Sequence, residues 1–412
     1  MSDASDEPEL HWIDGGTVTT PEGFSAGGIY TGVKTYGDEP RFDLGVLLSD
    51  RACAVAGVLT RNLVCGPAVT RARRLLDGGG PARAIFANSG VSNTVTGQQG
   101  ARDTERLAAL TAERFGIEAD AVFVGSTGVI GRLLPMPPIE EGIGKVELSE
   151  DGGHRFARAI MTTDTRTKEV AVQFEVEGRS YHVGGCAKGS GMIHPDLATM
   201  FAFVTTDAPV ERHWLQAALG VIADRTFNML DIDMDTSTSD TVLVLANGAA
   251  GGETIGRGHP AAGPLAHALE SVARHLTREL ARDGEGASTL IEAVVSGAAT
   301  VEDARLAART IVSSPLVKTM VTGRDPNWGR VMMAIGRSGA HVEQERVSVW
   351  VGPHCVLEAG TPTAADLAGV SKAMDVPEVQ LRVDLGLGEH EATAWGCDLT
   401  AEYVSINADY TT

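Results

Sequence analysis

A threonine hydroxyl is a weak nucleophile until a base stands beside it, and one run of this chain could draw that base from the backbone itself. In Lys188-Gly-Ser-Gly-Met-Ile-His-Pro-Asp-Leu-Ala-Thr199-Met-Phe a small residue, Ala198, directly precedes a threonine, downstream of turn glycines and one lysine. Cutting between Ala198 and Thr199 would free an α-amine whose pKa, near ~8, suits it to take the hydroxyl proton. Ala198 has no bulk to block attack of the Thr199 hydroxyl on its carbonyl, which would give an ester for water to hydrolyse. The cut would divide the protein into chains 1–198 and 199–412. An isolated Ala-Thr-Met would read as a loop entering a buried strand, Met200-Phe-Ala-Phe-Val204, so the neighbouring motifs decide.

Acyl transfer passes through an oxyanion that needs preorganised N–H or O–H donors. Val122-Phe-Val124 reads as a short strand running into the turn Gly125-Ser-Thr127-Gly128, whose glycines let backbone approach a ligand. Met161-Thr162-Thr163-Asp-Thr165 groups hydroxyls with a carboxylate, as an N-cap cluster also would. Glu285 stands between two glycines in Asp283-Gly-Glu-Gly-Ala287, after a helical pattern. Three other chemistries fail on spacing. Gly125 to Gly131 is G-x-x-G-x-x-G, not the dinucleotide fingerprint, and Lys188 precedes its glycine where a phosphate loop needs it to follow. Asp231-Ile-Asp233-Met-Asp235 starts like a calcium loop, but Thr236 replaces the required glycine and Val242 the closing glutamate.

Lys188-Gly-Ser-Gly-Met192 followed by Ala198-Thr199-Met200 resembles the self-cleavage segment of the ornithine acetyltransferase family, the glutamate N-acetyltransferases of the cyclic arginine pathway. The resemblance runs on through Gly125–Gly131, Met161–Thr165, Asp235-Thr-Ser-Thr-Ser-Asp-Thr241, Asp283–Ala287, Ser314-Pro-Leu-Val-Lys-Thr319, Asp325-Pro-Asn-Trp-Gly-Arg330 and Tyr403-Val-Ser-Ile-Asn407, all in family order. It implies a layered αββα fold of the N-terminal-nucleophile kind, cleaved before Thr199, with heterotetramers or larger assemblies of the two chains. It implies Thr199 as nucleophile and Thr127 and Gly128 as the oxyanion hole. Thr162 or Thr163, Lys188, Glu285, Asn407 and Thr412 would bind substrate. The reaction implied is ping-pong transfer of acetyl from N-acetylornithine to glutamate, with acetyl-CoA open as a second donor and no metal or organic cofactor. Asp325–Arg330 reads as architecture around the site. Two departures bear on donor and acceptor: Ser239 stands where the family commonly has asparagine, and Asn88-Ser-Gly replaces the usual Asn-Ala-Cys. A secondary-metabolite acetyltransferase of the same family, or an amidohydrolase of the N-terminal-nucleophile type, therefore stays open beside the main reading.

The elements that must hold these residues alternate between helix and strand. Leu265, Leu269, Val272, Leu276 and Leu280 form one apolar helical stripe, and 102–115 and 210–227 read as two further helices. Val170, Val172, Phe174 and Val176 alternate with polar residues before Glu177-Gly178 turns the chain to Tyr181 and Val183, which is a hairpin; Val379 to Leu385 alternates likewise. With 412 residues, 43% apolar and 21% charged, the chain can bury a large mixed α/β core. A net charge of −20, with no basic run longer than Arg71-Ala-Arg-Arg74, argues against a nucleic-acid groove. Five scattered cysteines without a C-x-x-C pair suggest neither zinc nor a disulfide framework. The acidic first nine residues read as a mobile tail and not a signal peptide, and no apolar run approaches the ~20 residues that span a bilayer. A cytoplasmic protein with no membrane partner is expected.

Overall fold

A computed structural model of the chain describes residues 9–34, 41–194 and 200–409. Ala198, Thr199 and Thr412 lie outside the described residues, as does most of the acidic tail.

Period-two alternation builds the centre. In Phe201–Thr206, Phe201 and Phe203 enter one core while Ala202 and Val204 enter another. In Thr241–Ala246, Leu243 and Leu245 join the two phenylalanines and Val242 and Val244 join the opposite face. Ala82–Val91 and Val122–Val129 do the same: Ile85, Ala87 and Phe123 point to the shared core, and Phe86, Val122 and Val124 to a third. The strands therefore pack face to face, as two hydrophobic sheet faces must. The strands 168–176, 179–188, 201–206 and 241–246 form one face; 24–29, 44–48, 82–91 and 122–129 form the other. Strand Leu44–Leu59 belongs to both, since its first half pairs with 24–29 and its second half with 241–246.

Helices cover both outer faces. Arg212–Arg225 and Ala262–Arg282 close the first, and Pro67–Gly78, Gly97–Phe115 and Met136–Lys145 the second, which completes the αββα layering that the resemblance implied. Gly153–Ile160 inserts Phe156, Ala157 and Ile160 into the shared core, with the Phe156 ring 5.7 Å from that of Phe203. A second sheet follows, in which Leu290–Ala298 pairs parallel with Glu378–Asp384 and antiparallel with His390–Cys397; it packs on Val301–Val312 and on Ala262–Arg282.

The three expected helices, the 168–188 hairpin and the strand over 378–384 are all present. One local expectation is corrected. The strand expected to stop at Val124 continues to Val129, because its parallel pairing with Ala82–Val91 carries on to Val91↔Val129. Gly125 to Gly128 is thus strand and not turn. Among the described residues no helix is long and apolar enough to cross a membrane.

Candidate active site

Three strand ends meet where the sandwich opens. Lys188 closes strand Arg179–Lys188 opposite Phe201, and Thr241 pairs with Phe201 from the other side. Met200, whose N–H donates to Asp240 Oδ1 at 2.8 Å, therefore stands at the sheet end that carries Lys188. Across the sandwich, Thr127 shares an inward phase with Phe123 and Gly125 and is buried. Gly125 leaves room for the Phe201 ring, which a Cβ there would meet at 3.1 Å. The Lys188 Nζ lies 5.7 Å from the centroid of that ring. Gly128 has φ 123°, and a Cβ on it would lie 2.3 Å from the Gly90 carbonyl carbon. No other residue fits so close a pairing of strands.

Thr127, Gly128, Thr162, Thr163, Lys188, Glu285 and Asn407 all line one cavity of about 280 Å³, together with Ser92 and Ser237 to Ser239. The two threonines that sequence could not separate both reach it and divide the work. Lys188 Nζ donates to Thr162 Oγ1 at 3.4 Å, whereas Thr163 Oγ1 donates to Glu285 Oε1 at 2.7 Å and pairs with Ser190 Oγ at 2.6 Å. Asn407, on the exposed helix Ala401–Asp409, donates from Nδ2 to Glu285 Oε2 at 2.8 Å. The cavity thus has an ammonium at one side and a carboxylate at another, each held by hydroxyl or amide groups. Burial pulls the Lys188 ammonium below the usual lysine range, against the carboxylates of Asp164 and Asp240.

A buried ion cluster holds this arrangement. Lys168 Nζ, 1% exposed with its residue, donates to Asp164 Oδ1 at 2.6 Å and Asp283 Oδ2 at 2.5 Å. Asp164 also accepts from the N–H groups of Thr162 (2.8 Å) and Gly189 (2.6 Å), and Asp283 from that of Thr165 (3.1 Å). Three segments that carry site residues are so tied together: 162–165, 188–191 and 283–285. Burial opposes ionisation of Asp164, but the Lys168 and Lys188 ammoniums and the Gly189 N–H hold its carboxyl well below the usual range. The carboxylates that resembled a calcium loop hold residues 192–194, ahead of the expected cut point. Asp233 accepts from the Met192 N–H (2.6 Å) and Ile193 N–H (2.9 Å), and Asp231 pairs with His194 Nδ1 at 2.8 Å. Arg330 donates to the Leu316 carbonyl at 2.9 Å and pairs with Asp325, which leaves the 325–330 motif architectural.

Sequence reading did not single out Lys168 or Asp240. A signal for Lys168 was available: it lies in phase with Val170, Val172 and Phe174, on the inward face of its strand. A lysine at such a position must find carboxylates. Asp240 accepts the Met200 N–H at 2.8 Å, which only the pairing of Thr241 with the 201–206 strand reveals.

A family model described as the ArgJ family matches residues 25–412. The arginine biosynthesis bifunctional protein ArgJ of Dehalococcoides mccartyi is 47% identical over 397 residues, covering 96% of this chain and 98% of the relative. The protein of the same name from Symbiobacterium thermophilum is 48% identical over 405 residues, covering 98% and 100%. Among solved structures, an ArgJ chain from Bacillus halodurans aligns at 42% identity and TM-score 0.49, over 51% of this chain and 98% of its own.

Proposed function

The chain belongs to the ArgJ family of arginine biosynthesis acyltransferases, and we propose from that premise that it moves an acetyl group from N-acetylornithine to glutamate through Thr199. The observation that carries this reading is the cavity with Lys188 and Glu285 both on its wall, beside the sheet end where Met200 follows Thr199. An ammonium suits the α-carboxylate of an amino acid, and a carboxylate suits the amine of an ornithine side chain. After the chain is cut before Thr199, the freed amine takes the hydroxyl proton as the oxygen attacks the acetyl carbonyl. Thr127 and Gly128 face the developing oxyanion from the opposite half of the sandwich. The proton passes to the departing ornithine nitrogen, and the glutamate amine then attacks the acetyl ester.

The cut need not release the halves, because strands 179–188 and 201–206 pair on either side of it. We take the two chains to remain together, in a heterotetramer or larger assembly that size-exclusion chromatography with light scattering would measure. Acetyl-CoA is proposed as a second acetyl donor, in keeping with the word bifunctional in the relatives' name.

Intact-mass spectrometry of the purified protein, with Thr199→Ala alongside, tests the core of this reading. Wild type should appear as two chains divided before Thr199, the second gaining one acetyl group on addition of N-acetylornithine, and separately of acetyl-CoA. Thr199→Ala should remain one chain without an adduct. A single uncleaved, unmodified wild-type chain would refute the mechanism, and release of acetate without any acceptor would favour the amidohydrolase alternative.

A further inference from the structure

The reaction read above asks one cavity to hold two side chains of opposite charge. N-acetylornithine brings an amine and glutamate a second carboxylate, so a wall that suits one repels the other. Glu285 accepts from the Thr163 hydroxyl at 2.7 Å and the Asn407 amide at 2.8 Å, and no cation pairs with it among the described residues. Its charge is left for an ammonium, and a carboxylate brought against it would be repelled. Among the described residues Lys188 is the one cation on the cavity wall, and the α-carboxylate common to both substrates takes it. The side-chain carboxylate of glutamate therefore needs an uncharged donor elsewhere on the wall.

Following the hydroxyl protons shows which donor is free, since a serine or threonine has one O–H to give. Ser92, Ser237, Thr238 and Ser239 make up the rest of the polar wall. Ser92 donates to the Val129 carbonyl at 3.0 Å. Thr238 donates to Thr94 Oγ1 at 3.1 Å, and Thr94 gives its own proton to the Ser92 carbonyl at 3.5 Å. The Ser237 oxygen accepts the Ser239 N–H at 3.1 Å, and its hydroxyl favours the charged form of the Asp240 carboxyl. Ser239 differs. Its Oγ meets only Thr238 Oγ1, at 3.4 Å, which is long for an O–H···O bond. Its backbone is pinned, with the N–H on Ser237 and the carbonyl accepting from Thr241 Oγ1 at 3.0 Å. The residue is 7% exposed, and a buried hydroxyl without a firm acceptor marks a place where one is to come. Thr127 and Thr162 also keep a proton, but Thr127 serves the oxyanion and Thr162 accepts from Lys188 on the α-carboxylate side.

We propose that Ser239 selects the acetyl acceptor: its hydroxyl donates to the side-chain carboxylate of glutamate, while the ornithine amine goes to Glu285 in the same cavity. This rests on the acetyl-transfer reading above and deepens it. The two substrates share the α-carboxylate on Lys188 and the nitrogen that leaves or attacks, and only the side chain changes course. A rotatable O–H suits that exchange. With ornithine bound it turns to Thr238 Oγ1, and with glutamate bound it turns into the cavity. A neutral donor also lets the carboxylate go when the next N-acetylornithine enters. A second cation there would hold the acceptor and repel the ornithine amine.

Ser239→Ala tests the assignment through kcat/KM, which in a ping-pong reaction reports each substrate's own half-reaction. The ratio of the glutamate value to the N-acetylornithine value should fall about 10- to 100-fold, the worth of a hydrogen bond to a charged group. The preference for glutamate over glutamine, an acceptor of the same length without the charge, should shrink with it. Glu285→Gln should move the first ratio the other way, because it removes the charge that attracts the amine and repels the carboxylate. An equal fall in both kcat/KM values would make Ser239 part of the framework and overturn the proposal. So would a ratio and a glutamate preference that stay at wild type. Wild type that neither cleaves nor forms an acetyl-enzyme refutes the parent reading instead, before any variant is made. Should Ser239→Ala fail to fold, a crystal structure of wild type with glutamate bound decides. The side-chain carboxylate is expected at about 2.5–3.0 Å from Ser239 Oγ, and a separation beyond hydrogen-bond reach would overturn the assignment.

Discussion

Two buried acid–base clusters sit a strand apart in this molecule, and they are finished differently. Around Lys168 every charge is answered: Asp164 and Asp283 flank the ammonium at 2.6 and 2.5 Å, and their other oxygens accept from the Thr162 N–H and the Thr165 hydroxyl respectively. Around Lys188 the pairing is incomplete. Among the described residues its ammonium donates to the Thr162 hydroxyl at a long 3.4 Å, and Asp240 keeps an oxygen unpaired. Both clusters are equally buried, so burial alone does not separate structural charge from charge held for a reaction. Completeness of partners does. The closed cluster ties together the segments that carry Thr162, Thr163, Lys188 and Glu285, and the open one faces the cavity they line.

The largest effect is expected from breaking the closed cluster. Lys168→Met keeps the aliphatic length but strands two carboxylates in the interior. Removing one partner of a buried ion pair costs about 3–5 kcal/mol. Urea denaturation should show that loss in the midpoint, and acetylation should fall with it as the 162–165 and 188–191 segments lose their tie. Stability within about 1 kcal/mol of wild type would show that the cluster does not set the fold, and the contrast drawn here would collapse.

On the cavity wall that the open cluster faces, the same kind of change should act on function and spare the fold. Glu285 lies at the cavity wall, held by Thr163 and Asn407. Glu285→Gln retains the shape and one acceptor but removes the charge offered to the ornithine amine. Losing one member of a buried charge pair with substrate costs about 2–3 kcal/mol, near a 100-fold fall in kcat/KM for N-acetylornithine. The fall should appear mainly in KM, with the denaturation midpoint close to wild type. Equal losses in stability and activity would mean that Glu285 is part of the closed framework.

Much of this contrast was legible in the sequence on one side only. The layers follow from alternation, as in Phe201, Ala202, Phe203 and Val204, where each residue type declares its face. The cavity residues could be named from the family motifs they sit in, Gly128 in Gly125–Gly131 and Glu285 in Asp283–Ala287; that a Cβ on Gly128 would meet Gly90 is visible only in the structure. Lys168 was written in the same alternation, one inward position before Val170, but was not singled out. The parallel pairing that extends the 122–129 strand past Gly125 was hidden, since it depends on a partner strand about forty residues away and not on local propensity. Asp240 was the least accessible. It lay in a quoted motif, yet its role comes from a register between strands 201–206 and 241–246, and periodicity carries no information about register between distant strands.

The smallest expected effect is the sharpest discriminator, because pH should move the two clusters in opposite directions. The Asp164 carboxyl is held below its ordinary range, so it contributes stability that is present above about pH 4 and lost as the pH falls further towards its lower folded value. Asp240 is raised, so its ionised form is disfavoured in the fold; it withdraws stability at neutral pH, and the loss is relieved as the pH drops through the raised value. Thermal melts of wild type and Asp240→Asn across that range separate the cases. At pH 7 the variant, which has no charge to bury, should melt at or above wild type, and the difference should vanish on acidification. A variant that melts well below wild type at every pH would mean that the carboxylate is already paired in the fold, and that the open cluster is as closed as the other. The expected pattern, a gain in stability on removal of the carboxylate, is that of a buried charge kept at the protein's expense beside the cavity.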